Sequence, residues 1–260
     1  MKQNKTKIGI SLSGGGARGI AHIGVLKALE ENGIYPEVIA GASAGAIVGA
    51  FYANGMSPED ILKVVSKSSL FKMFSFGLPN GGLTKLTYLK RLLKQHIQVD
   101  RFEDLEKQLF VAISNLNTGQ TNVVGSGPLY DVIVASASIP LVFQPVEING
   151  QTYVDGGLLN NMPVKAAKKV SDKLIGVNVM PDIEVSSKSI HSTIAVATRC
   201  FQLSVISNTR PNLKYCDIVI EPQKVHPYNI FQFNKHEEIY QIGYHATMEK
   251  MEDIKAAILK

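Results

Sequence analysis

The residues around Ser43 are those of an activated nucleophile. Ser43 is the centre of Gly41-Ala42-Ser43-Ala44-Gly45, which follows a short apolar run and opens a second, helix-like apolar run. A strand that turns directly into a helix through Gly-x-Ser-x-Gly is typical of the nucleophile elbow of hydrolases. The small flanking residues leave only the hydroxyl protruding, and a helix N-terminus favours the negative charge that forms during attack. We therefore predict that Ser43 is a nucleophile.

A glycine-rich loop, Ser13-Gly14-Gly15-Gly16-Ala17-Arg18-Gly19, follows the first strand-like run. Its glycine spacing formally matches a dinucleotide fingerprint, but the second strand ends without the acid that would hold a ribose. A phosphate-binding P-loop is excluded because Ile20 stands where lysine is required. The alternatives are a plain tight turn and a loop whose backbone N–H groups bind an oxyanion.

A base is needed to activate the serine, and Asp155 is the candidate. It ends a predicted hairpin strand and precedes Gly156 and Gly157, which leave its carboxylate free of bulky neighbours. A solvated aspartate has a pKa of about 3.9, and burial raises that pKa toward the range of a general base. Taken alone, the Asp-Gly pair is more readily explained as a turn in which the aspartate side chain binds the neighbouring backbone. No glycine-flanked turn presents any of the histidines, which are His22, His96, His191, His226, His236 and His245.

The remaining pattern predicts an α/β protein. The first 55 residues alternate strand, glycine loop, helix, strand, elbow and helix, which predicts a parallel sheet covered by helices on both faces. Further strands are expected over 109–115, 121–124, 174–179 and 218–220, and a hairpin over 146–154. Further helices are expected over 86–96, 129–137, 164–170, 190–207 and 237–259. We expect a single domain over 1–260, with the motifs in 7–180 and further helices and a strand in 181–260.

Composition narrows the function classes. The net charge of +5 is a modest excess without a basic cluster interleaved with aromatic residues, so nucleic acid is not an expected partner. No apolar run reaches the roughly 18 residues of a membrane span, and the run after the N-terminus is too short for a signal peptide. Cys200 and Cys216 have no metal-ligand spacing and fit a reduced, cytoplasmic chain. We expect neither a metal nor a cofactor.

Together, the three motifs resemble those of the patatin-like phospholipase family. The glycine loop, the Ser43 elbow and Asp155-Gly156-Gly157 occur in that family's order, and segments 20–26, 135–140 and 158–163 are similar as well. The resemblance covers about residues 7–180 and implies a three-layer α/β/α fold with a mainly parallel sheet. It also implies a Ser43–Asp155 dyad without histidine and lipid acyl esters as substrates. The oxyanion hole that it implies is formed by the backbone of Gly14, Gly15, Gly16, Ala17 and Arg18. The other matching motif positions are Gly19, Gly41, Gly45, Gly156 and Gly157.

Three alternatives stay open. A histidine-dependent α/β-hydrolase would complete a triad with His226, His236 or His245. A lipid-binding or regulatory protein would keep the fold without meaningful turnover. A nucleotide-binding module would use the glycine loop.

Two apolar stretches are candidates for a lid or an acyl-chain wall. Residues 68–83 are apolar and hinged by glycines, and Tyr228–Phe233 is a weaker candidate of the same kind. The alternative is that each stretch is an ordinary loop that buries its apolar side chains in the protein core. The small basic excess is compatible with peripheral contact with a membrane, and a homo-oligomer stays open as well.

Overall fold

The computed structural model describes residues 6–67, 86–180 and 184–259. Within these ranges the strands are β1 (Ile8–Leu12), β2 (Val38–Gly41), β3 (Gln108–Asn115), β4 (Thr121–Val124), β5 (Val146–Ile148), β6 (Gln151–Asp155), β7 (Lys173–Val177) and β8 (Ile218–Ile220). The helices there are α1 (Ala21–Glu31), α2 (Ala44–Ala53), α3 (Pro58–Lys67), α4 (Thr87–His96), α5 (Tyr130–Ser136), α6 (Gly157–Asn160), α7 (Val164–Lys168), α8 (Thr193–Leu213), α9 (His236–Glu249) and α10 (Met251–Ile258).

All eight of these strands form one sheet. Its order is β5-β6-β3-β2-β1-β7-β8, and β4 pairs with β3 outside this path. The central pairings, β1 with β2 and β7, β2 with β3, and β7 with β8, are parallel. The pairings of β3 with β4 and β6, and of β5 with β6, are antiparallel. The mainly parallel sheet that the sequence predicts is therefore confirmed, with an antiparallel edge.

Helices cover both faces of this sheet. On β2, Ile39 packs into the larger core, to which α1, α2 and α9 also contribute. Val38 and Ala40 of the same strand pack with Val164 and Ala167 of α7 in a second core. Because successive side chains of a strand point to opposite faces, the two cores lie on opposite sides of the sheet. The predicted three-layer α/β/α arrangement is confirmed.

Two helices differ from their predicted bounds. The helix expected over 190–207 continues to Leu213, with Pro211 inside its last turn. The single helix expected over 237–259 is two helices, α9 and α10, because Lys250 leaves the helical conformation at φ −102° and ψ 6°. The break lets each helix bury its own apolar residues, Ile239 in α9 and Ile254 in α10.

Three other expectations concern the chain as a whole. A single domain over 1–260 stays a prediction, although β8 and the helices after residue 184 join the same sheet and core. The candidate lid over 68–83 lies outside the described residues. Among the described helices, none has both the length and the apolar character needed to cross a bilayer.

The substitution Ile39→Ala tests the central strand. Ile39 lies on strand β2 and is fully buried, so we expect its truncation to lower the free energy of unfolding by about 2–5 kcal/mol. Ile194→Ala is the matched control, because Ile194 is 60% exposed, and its change should stay within about 0.5 kcal/mol. Urea unfolding measures both, and equal losses would contradict the assigned core.

Candidate active site

The Ser43 elbow lies at the carboxyl edge of the sheet, between β2 and α2. Ser43 has φ 51° and ψ −122°, a backbone conformation that residues other than glycine rarely adopt. The turn needs glycine at both flanks. A side chain at Gly45 would overlap the carbonyl oxygen of Leu12, and one at Gly41 would overlap the backbone of Gly45. The chain thus holds the serine hydroxyl at the N-terminus of a helix, where negative charge is favoured.

Ser136, the last residue of α5, supports the elbow from behind. Its hydroxyl accepts a hydrogen bond from the Ser43 N–H at 2.9 Å and donates to the carbonyl oxygen of Ala112 at 2.7 Å. Its own carbonyl oxygen accepts from the Gly156 N–H at 3.2 Å. One fully buried residue therefore ties the elbow to the segment that begins at Gly156. Our sequence reasoning assigned Ser136 no role, and the only signal was the run of small residues at 135–138.

Strand β6 brings Asp155 to the same edge as Ser43. β3 is parallel to β2, and Val111 of β3 pairs with Gly41. β6 runs antiparallel to β3 and ends where Asp155 pairs with Ile113, two residues farther along β3. An antiparallel strand that stops at this level places its last side chain beside the turn that follows β2. The order of strands thus explains how residues so distant in the chain meet.

The side chains of Ser43 and Asp155 line the same cavity, and hydrogen bonding by the Ser43 hydroxyl lowers the pKa of the Asp155 carboxyl. The Gly157 N–H donates to Asp155 Oδ1 at 2.7 Å. Asp155 is only 2% exposed, and this burial raises the pKa of its carboxyl to about 7. The hydrogen bonds from Ser43 and Gly157 lower this pKa, because they stabilise the charged form of the carboxyl group. A carboxyl group that titrates near neutrality can both take and return a proton.

The glycine loop lies beside the elbow, because β1 and β2 are parallel neighbours and Leu12 pairs with Gly41. The loop passes into a 3-10 turn over Gly16–Ile20. Gly19, inside that turn, packs so closely against Ala44 that a side chain at position 19 would overlap it. The loop and the elbow therefore form one continuous wall of the site.

Three of the five predicted oxyanion donors are engaged elsewhere. The Gly14 N–H donates to Asn161 Oδ1 at 3.0 Å, that of Ala17 to the Ile230 carbonyl at 2.7 Å, and that of Arg18 to the Gly15 carbonyl at 3.2 Å. The N–H groups of Gly15 and Gly16 have no hydrogen-bond partner among the described residues. Gly15 and Gly16 are therefore the two of the five whose N–H groups are available among the described residues, and the oxyanion hole in this loop stays a prediction.

The Arg18 side chain points to the C-terminal part of the chain, where it is buried instead of lying at the surface. Its Nε donates to the carbonyl oxygen of Tyr228 at 2.8 Å and its Nη2 to that of His226 at 3.2 Å. These bonds hold the segment that bears Ile230 against the glycine loop. Gly16 has φ 57°, and a side chain there would overlap the Ile230 carbonyl. Arg18 thus anchors a neighbouring segment.

Ser43 and Asp155 line one small cavity of about 30 Å³. Its apolar wall is formed by Ile139, Met180, Phe201, Val205 and Ile230. Of the Tyr228–Phe233 stretch, Ile230 reaches this cavity, while Tyr228, Phe231 and Phe233 pack against the core. This candidate acyl-chain wall therefore contributes one residue to the site, while three others are partly buried against the core.

All six histidines lie in the described ranges, and none lines this cavity. His22 is fully buried behind the glycine loop, with its Nε2 at 2.8 Å from the Ser13 carbonyl oxygen. Burial lowers the pKa of His22 to about 4, so its ring is neutral at pH 7 and Nε2 donates this bond. The described residues also contain no group of three His, Cys, Asp or Glu side chains that could hold a metal ion.

The chain is similar to proteins of one family. A family model described as patatin-like phospholipase matches residues 10–168. A lysophospholipase NTE1 of Aspergillus fumigatus is 28% identical and aligns with 96% of this chain and 18% of its own length. The lysophospholipase NTE1 of Candida glabrata is 33% identical over 69% of this chain and 10% of its own length. This chain therefore spans a fifth or less of the curated relatives it matches.

Two solved structures share the fold. VipD from Legionella pneumophila superimposes with a TM-score of 0.56 at 17% identity, over 95% of this chain and 67% of VipD. ExoU from Pseudomonas aeruginosa, solved as a heterodimer with SpcU, gives 0.54 at 16% identity, over 98% of this chain and 52% of that one. At such identities the likeness shows the fold alone.

The substitution Ser136→Ala tests the support of the elbow. It leaves the buried Ser43 N–H without its acceptor, so we expect the free energy of unfolding to fall by about 1–3 kcal/mol. Ser138→Ala is the matched control. The Ser138 hydroxyl donates to the Val134 carbonyl at 2.8 Å, and that carbonyl keeps a second donor in the Ala137 N–H. Urea unfolding should show the smaller loss for Ser138→Ala, and the reverse order would refute the assigned role.

Proposed function

We propose that this chain, which belongs to the patatin-like phospholipase family, hydrolyses acyl esters of lipids with Ser43 as nucleophile and Asp155 as its base. The observation that carries the proposal is that the Ser43 hydroxyl and the buried Asp155 carboxylate line one cavity that no histidine lines. The name lysophospholipase, which relatives in Aspergillus fumigatus and Candida glabrata carry, favours phospholipids or lysophospholipids as the substrate class.

In the first half of the reaction, Asp155 takes the hydroxyl proton as Ser43 attacks the ester carbonyl carbon. The carbonyl oxygen becomes an oxyanion. For it, Gly15 and Gly16 offer two N–H groups that no described residue occupies, on the wall of the cavity that Ser43 also lines. Such preorganised donors typically contribute about 3–4 kcal/mol each to lowering a barrier of this kind. When the intermediate collapses, the carbon–oxygen bond to the leaving alcohol breaks. Asp155 returns its proton to that alcohol, and the acyl group stays on Ser43.

In the second half, Asp155 acts as base again. It takes a proton from a water molecule that attacks the acyl-enzyme, and the same N–H groups bind the second oxyanion. Collapse breaks the bond to Ser43 Oγ, which recovers its proton from Asp155, and the fatty acid leaves. One carboxyl group with a pKa near neutrality can perform both transfers, because neither of its forms is strongly favoured at pH 7.

The walls of the cavity support a substrate with an acyl chain. Five apolar side chains, given above, surround the reactive pair, and apolar surface binds hydrocarbon by excluding water. The cavity of about 30 Å³ holds only the part of an acyl chain next to the ester, so the rest of the chain must extend beyond it. Contact with a membrane surface and a cytoplasmic location are predictions that accompany this proposal. The histidine-dependent alternative finds no support in the cavity, while a lipid-binding protein without turnover is the alternative that the first test addresses.

The test of the proposal is a substrate panel on single variants. A short-chain ester, a lysophospholipid and a diacyl phospholipid should all be assayed with the wild type, Ser43→Ala and Asp155→Asn. Both substitutions remove a member of the proton-transfer pair, so we expect kcat/KM to fall by about 10⁴-fold or more. His226→Ala, His236→Ala and His245→Ala are controls that should retain activity. Loss of turnover in one of these histidine variants would contradict the dyad, and no turnover by the wild type would favour a binding protein.

The pH dependence of kcat/KM follows from the state of Asp155. Burial raises the pKa of this carboxyl to about 7, and only the ionised form can accept the Ser43 proton. Activity should therefore rise through about pH 7 and fall about tenfold for each pH unit below it. Stopped assays with a short-chain ester measure this profile over about two pH units on each side of that pKa, from about pH 5 to about pH 9. An activity that stays flat down to pH 5 would rule out Asp155 as the base.

A further inference from the structure

The geometry points to Asn208, on helix α8, as a positioning residue that fixes the backbone after Asp155 together with the glycine loop. This inference rests on the proposed function, because it gives Asn208 a part in the reaction of Ser43 and Asp155. Asn208 lies beyond residue 180, in the part of the chain that carries none of the family motifs. It touches neither of the reacting side chains, so its effect must pass through the residues it holds.

The Asn208 side chain uses both of its polar atoms on one segment. Its Nδ2 donates to the carbonyl oxygens of Gly157 at 2.9 Å and Leu158 at 3.1 Å. Its Oδ1 accepts from the N–H of Asn161 at 2.7 Å. An amide side chain can donate and accept at once, so this single residue binds the backbone of α6 at Gly157 and Leu158 and the residue that follows α6, Asn161.

Gly157 connects Asn208 to the base. Its carbonyl oxygen accepts from Asn208, while its N–H donates to Asp155 Oδ1 at 2.7 Å. Gly157 has no side chain to hold it in place, so these bonds at its two ends set its orientation. The hydrogen bond from Gly157 lowers the pKa of Asp155 against the larger effect of burial. If Gly157 were released, this carboxyl would become harder to ionise.

Asn161 connects Asn208 to the glycine loop. The Asn161 side chain is 1% exposed and accepts from the Gly14 N–H at 3.0 Å through its Oδ1. Its Nδ2 donates to the hydroxyl of Thr209, the residue after Asn208, at 3.0 Å. Two consecutive residues of α8 therefore hold Asn161 by its backbone and by its side chain. Gly14 in turn precedes the two free N–H groups of the loop.

One turn further along α8, Asn212 offers a matched control. Its Nδ2 donates to the Met162 carbonyl at 3.1 Å and to Asn160 Oδ1 at 3.3 Å. Within the described residues, none of its hydrogen bonds reaches Gly157 or Asn161. Asn212→Ala therefore makes the same chemical change on the same helix face without releasing the residues that adjoin the reacting pair.

The experiment compares Asn208→Ala with Asn212→Ala in two readouts. The first is kcat and KM for a short-chain ester over a range of pH. The second is the titration of the Asp155 carboxyl by ¹³C NMR, assigned by its absence in Asp155→Asn. We expect Asn208→Ala to lower kcat by about 10- to 100-fold with KM changed by less than about twofold. The acid limb of kcat/KM and the NMR titration should both move up by about one pH unit. Asn212→Ala should move neither.

If the two alanine variants behave alike, the positioning role is overturned. If the wild type shows no turnover that depends on Ser43, the proposed function fails, but the NMR titration still decides the inference. An upward shift confined to Asn208→Ala would support it, and equal titrations would overturn it. Should Asn208→Ala fail to fold by circular dichroism, Asn208→Ser replaces it, since a serine side chain is one bond too short to reach Gly157.

Discussion

The site depends on a carboxyl group placed where water cannot solvate it. Asp155 is almost fully buried, and the described residues give its carboxylate only two donors, the Ser43 hydroxyl and the Gly157 N–H. An ionised aspartate in that position is costly, and the protein offsets part of the cost by aiming these donors at it. Complete solvation would make the group too weak a base, while burial without donors would keep it protonated. The two hydrogen bonds keep the pKa of the Asp155 carboxyl between these extremes.

The strand order makes this placement available. A loop after β1 and a turn after β2 meet because these strands are parallel neighbours, which is the usual place for a binding crevice in an open α/β sheet. Asp155 arrives from the other direction, on the antiparallel strand β6, which stops level with the ends of the parallel strands. Apart from the Ser43 hydroxyl, the donors of the site are backbone N–H groups, so the site depends on glycines and on where each strand ends more than on charged side chains. Among the described residues that line the cavity, Asp155 is the only one with an ionisable side chain.

Sequence reasoning recovered the local parts of the site and missed the long-range ones. The Ser43 elbow, the glycine loop and the Asn149-Gly150 hairpin are visible because their backbone conformations demand particular residues at fixed spacing. Ser136 and Asn208 are ordinary buried or half-buried polar residues in helices. Their partners lie 93 and 47 residues away, and no spacing rule connects them. The same limit explains the oxyanion donors, because the sequence cannot show that Ile230 already occupies the Ala17 N–H. It also explains why the break at Lys250 between two helices was missed.

The most direct measurement of the central claim is the pKa of Asp155 in the resting protein, followed by carboxyl ¹³C NMR in the wild type and in Ser43→Ala. Burial with a hydrogen bond from Ser43 predicts a wild-type pKa of about 7 and a higher value in Ser43→Ala, because that bond stabilises the ionised form. A wild-type pKa near the usual aspartate value of about 3.9, unchanged when the hydroxyl is removed, would contradict both the burial and the contact.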